Sequence, residues 1–476
     1  MTTRRKFIQT GSVVAAGLSV GLNASGDFSG RSYTSQRPEK AKRKFTSPLV
    51  EETIQRVKNT IKDPELAWMF ENCYPNTLDT TVQFSMKNGR PDTFVITGDI
   101  HAMWLRDSSA QVWPYVQFAN KDEKLKQLLA GVINRQTQCI LIDPYANAFN
   151  DGPTGSQWEK DLTKMRPELH ERKWEIDSLC YPIRLAYGYW KKTGDVSCFN
   201  KSWKKAMKLV VQTFKEQQRK KNHGPYKFQR MTAVQSDTVA GGGYGNPINP
   251  TGLICSTFRP SDDSTIFSFL VPSNFFAVVS LRQLAHIFRQ VFDEQTFSGE
   301  CDRLADEVEK ALEMYAVQSH LNFGKILAFE IDGYGNRLYM DDAGIPGLLS
   351  TAYLGSFKTE DPVYQATRKF ALSASNPYYF EGKAGKGIGS PHTGTDMIWP
   401  MSIIMQALTS KDTNEITDCL KILKSTHNET GFMHESFQKD QPQKFTRKWF
   451  AWTNTLFGEL ILKIYHENPQ ILKDII

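Results

Sequence analysis

The stretch Glu175–Trp190, EIDSLCYPIRLAYGYW, decides the fold. Ile176, Leu179, Ile183, Ala186 and Trp190 recur at the spacing of one face of a helix. The same period returns along the chain: at Val50, Ile54, Val57 and Ile61 after Pro48, from Pro64, and over Leu125–Ile142, Trp203–Gln218, Pro272–Val291 and Cys301–Tyr315. Ile398, Met401, Met405 and Leu408 mark a late helix, and Ile416–Leu423 and Phe450–Tyr465 complete the series. The one clear strand signal is a hairpin, with Thr77–Met86 and Thr93–Thr97 flanking Asn88-Gly89. No βαβ alternation and no fixed-length repeat is present.

Long loops rich in Gly, Pro, Asp and Asn separate the helices: Asp143–Gly155, Thr238–Asp263, Asp332–Pro346 and Asn376–Thr395. Loops of this length inside a compact domain carry function. Helix pairs joined by such loops predict an all-α toroid with the loops crowded at one end. Length alone allows up to about three domains, but a single helical barrel also accommodates 476 residues. The domain reading is a leader over 1–24, a flexible linker over 25–47, and one catalytic domain over 48–476.

The leader reading rests on MTTRRKFIQTGSVVAAGLSVGLNASG. Arg4-Arg5 precedes a mild apolar run, the pattern of a twin-arginine export signal, which implies a periplasmic protein. The run is too short and too rich in Gly and Ser to span a bilayer, so no membrane insertion is expected after signal removal. Losing Arg4, Arg5 and Lys6 lowers the net charge from +7 to +4. Without a block of like charges, this describes a solvated surface rather than a nucleic-acid partner. The seven cysteines are widely spaced and odd in number, so buried thiols are expected instead of a disulfide framework. Nothing in the sequence speaks to oligomeric state.

Polar and aromatic residues concentrate in a few loops. In WLRDSSAQVWPY, Trp104, Arg106 and Asp107 sit at a helix start; they serve either as cap and core pair or as a clamp for sugar hydroxyls beneath a stacking Trp. RPSDDST holds Arg259, Asp262 and Asp263, readable as a turn, a hard-cation ligand pair or a general acid. His392 lies in GSPHTGTDMIWPM, and HESFQKD places Glu435 on a loop before KWFAWTNTLFGEL. Gly385, Gly387 and Gly389 lack the Lys-Ser/Thr ending and preceding strand of a phosphate loop. No HExxH or G-x-S-x-G is present. Two carboxyls on separate loops over a Trp-rich pocket suit glycoside hydrolysis. In the inverting form the carboxyls stand about 6.5–9.5 Å apart to admit water.

The segments WLRDSSAQVWPY, EIDSLCYP, RPSDDST, MDDAGIPGLL, GSPHTGTDMIWPM, MHESF and KWFAWTNTLFGEL together resemble glycoside hydrolase family 125, from about Pro48 to the C-terminus. The resemblance implies an (α/α)6 barrel and an inverting exo-α-1,6-mannosidase acting on α-mannoside oligosaccharides, with no cofactor and no catalytic metal. It implies Asp262 as general acid, with Asp263 as the alternative, and Glu435 as general base. Arg106 and Asp107 would grip the terminal sugar, and Trp104, Arg259 and His392 would line the pocket. The competing readings are an inverting hydrolase resembling glucoamylases or trehalases, an epimerase or lyase on the same toroid, and a non-catalytic glycan-binding protein.

Overall fold

The computed structural model describes residues 33–475; the export-signal reading falls outside them. The helices run in chain order α1 (Pro48–Thr60), α2 (Pro64–Cys73), α3 (Leu105–Val112), α4 (Glu123–Ile142), α5 (Ile176–Thr193), α6 (Lys201–Gln217), α7 (Val271–Val291), α8 (Gln295–Tyr315), α9 (Pro362–Ala371), α10 (Pro400–Leu408), α11 (Thr413–Thr426), α12 (Ala451–Glu467) and α13 (Gln470–Asp474). Helices α3, α5, α7, α10 and α12 pack side by side as an inner ring. In the sixth inner place the chain runs as successive buried turns through residues 347–355. The remaining long helices alternate with these and lie outside, which makes an (α/α)6 toroid.

Local chemistry explains the helix starts. Ser47, Asp63, Asp122, Asn200, Asp361 and Asp412 each accept a hydrogen bond from a first-turn N–H of the helix that follows. Inner helices instead begin at Trp104, Leu270, Trp399 and Phe450, which make no such cap. Their N-termini open onto the long loops. Around the barrel axis, the Arg184 guanidinium lies 3.7 Å from the centre of the Trp113 ring and 4.9 Å from that of Tyr353. The Tyr353 hydroxyl donates to buried Glu459 at 3.0 Å. All seven cysteines are free and buried.

The hairpin forms as expected, pairing Val82–Lys87 with Arg90–Val95, and Asn88 and Gly89 take the positive φ that this two-residue turn needs. Its expected first strand is shorter, because Thr77–Thr81 winds into a π-helical turn. Five further small sheets among the described residues stiffen the loops. Helix α9, which escaped the sequence reading, is a short amphipathic segment between loops.

The expected flexible linker needs correction from Tyr33 onward. Arg37 pairs with Glu51 at 2.5 Å and Asp79 at 2.7 Å, and its side chain is 3% exposed. Trp68 donates its indole N–H to the Thr34 carbonyl at 2.7 Å, and Lys44 and Phe45 bond the backbone of Asp79 and Leu78. A polar, basic composition reads as a linker, but a single arginine between buried Asp79 and half-buried Glu51 ties the segment down.

The hairpin docks on α4: Thr93 Oγ1 donates to the Leu128 carbonyl at 2.8 Å, and Arg135 Nε to Asp92 at 2.7 Å. Gly131 permits this approach, since a Cβ there would collide with Thr93 Oγ1 and the Asp92 backbone. Gly131→Ala is therefore expected to destabilise the protein by about 1–3 kcal/mol, measured by urea denaturation. An unchanged midpoint would show that the hairpin yields freely.

Candidate active site

One cavity, about 420 Å³ counting its open mouth, gathers side chains from loops far apart in sequence. Trp104, Arg106 and Asp107 enter from the start of α3, Pro260–Asp262 from the turn before α7, and Gly344 from the inner turns. His392, Trp399 and Met401 come from the start of α10, and Glu435, Arg447, Phe450 and Trp452 from the approach to α12. The site thus sits at the N-terminal ends of the inner helices.

The Asp262 turn is built by its own sequence. Pro260 presets the second position, and the Asp262 N–H closes the turn on the Arg259 carbonyl at 2.9 Å. Asp262 itself has φ +69, a left-handed conformation that Asp tolerates better than most residues. Lys173 fixes it from below, donating to the Asp262 carbonyl at 2.9 Å. Burial lowers the Lys173 pKa, but Glu171 and Asp237 outweigh that and push it up to about 12.

Beneath the cavity, Arg106 is the centre of a buried cluster. Its Nη1 donates to Glu175 at 2.6 Å and to Asp177 at 2.9 Å. Asp107 lies 3.6 Å from Nε and Asp262 3.8 Å from Nη2. Burial opposes the guanidinium charge, yet the surrounding carboxylates hold its pKa well above the ordinary value. Glu175 is pushed well up by burial, with Arg106 opposing and Asp177 and Asp262 adding repulsion. Asp177 is raised too, again first by burial. One arginine does not neutralise four carboxylates, so this cluster favours retaining a proton.

Glu435 faces a different environment. It precedes the strand Ser436–Gln438, which pairs with both Met397–Ile398 and Gln441–Thr446. The predicted loop is therefore a hairpin edge. The Glu435 N–H donates to the Thr446 carbonyl at 3.2 Å. Next to it, His434 stacks on Phe445 with ring centroids 3.7 Å apart. Burial takes the His434 pKa down to about 4, so the ring is a neutral packing element near pH 7. Arg447 Nη1 stands 3.5 Å from Glu435 Oε1.

Of the residues singled out in the sequence, Trp104, Arg106, Asp107, Asp262, His392 and Glu435 meet in this cavity. Arg259 does not line it: its guanidinium pairs with buried Glu330 at 2.6 Å. That bond braces the turn from behind. Asp263 likewise faces away, with Oδ1 3.4 Å from His392 Nδ1. Glu175, Asp177, Lys173, Asp99 and Arg447 were missed. The first two lie in EIDSLCYP, where two acids opening an apolar helix were the available signal. Among the described residues, no group of three or more His, Cys, Asp or Glu side chains is arranged to hold a metal ion.

Residues 63–462 match a family described as metal-independent alpha-mannosidase (GH125). The meiotically up-regulated gene 157 protein of Schizosaccharomyces pombe is 40% identical over 463 residues, covering 92% of this chain and 90% of its own. A Streptococcus pneumoniae structure, of a metal-independent alpha mannosidase in a non-productive complex with alpha-1,6-mannobiose, is 42% identical. It superposes with a TM-score of 0.86 over 89% of this chain and 100% of its own. A glycosidase variant at 11% identity, covering 87% of this chain and 98% of its own, has a TM-score of 0.52 and shares the fold alone.

Removing the central cation should be costly. Arg106→Leu leaves Glu175 and Asp177 buried without their cation and is expected to lower stability by about 3–5 kcal/mol, read from thermal and urea melts. A loss below 1 kcal/mol, roughly the scale of an exposed pair, would show that the cluster is solvated.

Proposed function

The chain belongs to glycoside hydrolase family 125, the metal-independent alpha-mannosidases, and we propose that it releases single mannose units from the non-reducing end of α-1,6-linked mannosides with inversion at the anomeric carbon. The observation carrying this reading is that Asp262 and Glu435, 173 positions apart in sequence, line one cavity together with Trp104, Arg106 and Asp107. The α-1,6 linkage is supported by the Streptococcus pneumoniae relative, whose complex contains alpha-1,6-mannobiose.

In this reading Asp262 is the general acid and Glu435 the general base. Asp262 donates its proton to the glycosidic oxygen as the C1–O bond breaks. Glu435 takes a proton from a water that attacks C1 from the opposite face, so the mannose leaves as its β-anomer. The environments suit these roles. The negative charges of Glu171, Glu175 and Asp177 disfavour ionisation of Asp262, with Arg106 and Lys173 opposing. Glu435 has the Arg447 cation beside it. Asp107 and Arg106 are placed to hold hydroxyls of the terminal ring, and the surrounding Trp104, Trp399 and Trp452 offer apolar faces to its C–H groups. Walls of this kind around one ring favour exo action. The leader over 1–24 supports export of the folded enzyme to the periplasm, so Arg4→Lys with Arg5→Lys should retain it in the cytoplasm on cell fractionation.

The acid and base are tested separately. Asp262→Asn should lower kcat on α-1,6-mannobiose by about 10²–10⁴-fold, while most activity survives on a dinitrophenyl mannoside, whose leaving group needs no proton. Equal losses on both substrates would remove Asp262 from the acid role, and the stated pattern in Asp263→Asn instead would move the role there. Glu435→Ala should be inactive and regain turnover with azide, giving β-mannosyl azide by NMR; no azide product would exclude Glu435 as base. Wild-type activity should survive chelation with EDTA.

A further inference from the structure

We infer that Asp99 is a positioning residue for Glu435, acting through Arg447; the inference rests on the reading of Glu435 as general base. Arg447 is the cation 3.5 Å from Glu435, and its side chain is 7% exposed. Its other nitrogens belong to Asp99: Nη2 reaches Oδ1 at 2.5 Å, and Nε lies 3.0 and 3.2 Å from the two carboxylate oxygens. Only Nη1 is left toward the cavity.

The arrangement is built from both ends of the chain. Arg447 has φ +42, a conformation uncommon for a long side chain. Its guanidinium is held 4.5 Å from the centre of the Phe450 ring. Asp99 arrives on the loop after the N-terminal hairpin. Its N–H donates to the Trp449 carbonyl at 3.3 Å, and Gly98 bridges to Phe450. A Cβ on Gly98 would stand 2.5 Å from the Trp449 carbonyl oxygen, so the close approach requires glycine there.

The chemistry needs this division of charge. An arginine given wholly to Glu435 would stabilise its carboxylate and weaken it as a base. It would also draw the carboxylate away from the attacking water. Sharing Arg447 with Asp99 leaves a cation beside Glu435 that is not committed to it, 3.5 Å away against 2.5 Å to Asp99. The other charged or titratable groups around this cavity are Arg106, Asp107, Asp262 and His392 on its opposite walls. His434, adjacent in sequence, directs Nε2 toward the His427 carbonyl at 3.2 Å instead.

The sign follows from Coulomb's law. Without the Asp99 charge, Arg447 acts fully on Glu435, so the acidic limb of kcat/KM against pH moves to lower pH. Asp99→Asn should show this shift, with kcat on α-1,6-mannobiose reduced by about tenfold, a part of what a positioned base contributes. KM should change little, and Asp99→Glu should restore both limb and rate. Arg447→Met should move the acidic limb the opposite way, to higher pH. An unmoved limb in Asp99→Asn, with or without lost activity, overturns the inference and leaves Asp99 a structural clamp. So does a shift of the same sign in both variants. Failure of azide rescue in Glu435→Ala would instead sink the base assignment, which these limb shifts do not decide.

Discussion

The structure depends on a buried positive charge that it could not bury alone. Arg106 forms part of the cavity floor, with Glu175, Asp177, Asp107 and Asp262 around it. Taking any one of these charges out of water is costly, and the cluster persists only because its members face one another. That requirement links three inner segments. Arg106 and Asp107 open α3, Glu175 and Asp177 open α5, and Asp262 sits on the turn before α7. The helices cannot shift along one another without unpairing a buried ion.

The same device recurs around the rim, one loop at a time. Lys173 holds the Asp262 carbonyl while bonding Asp237 at 2.9 Å. Arg230 joins Asp161 and Glu171. Arg259 joins Glu330, whose other oxygen accepts the N–H groups of Ile266 and Phe267. In the inner turns, Asp341 accepts three backbone N–H bonds from Asp342, Leu348 and Leu349, although burial still carries its pKa up to about 7. Each loop carries only short strands and turns, so many of its backbone polar groups need such partners. A rigid site on irregular loops is the result.

How much of this was legible follows from the range of each signal. The helix starts at Pro48 and Pro64, the Asn-Gly hairpin and the helix of Glu175–Trp190 were readable because cap, turn and period are local. The toroid followed from their order. Choosing between Asp262 and Asp263 was not local: adjacent residues of one turn point apart, and only the folded turn puts Asp262 on the cavity and Asp263 toward His392. Arg259 misled for the same reason, since its partner Glu330 lies 71 positions away. Asp99 and Arg447, 348 positions apart, left no mark in either neighbourhood.

The two candidate carboxyls differ less in themselves than in their company. Around Asp262, acids outnumber the cations near enough to matter, and repulsion favours keeping a proton. Beside Glu435 stands one arginine, which Asp99 shares. An inverting hydrolase needs one acid and one base at the same pH, and under the proposed roles unlike surroundings would supply both from similar side chains. The asymmetry also follows the architecture. The Asp262 cluster is fixed to α3 and α5 and the turn before α7, whereas Glu435 stands at the entry to a hairpin clamped by the N-terminal loop. Two unlike supports therefore hold the two carboxyls on one cavity, and the toroid is what brings them together.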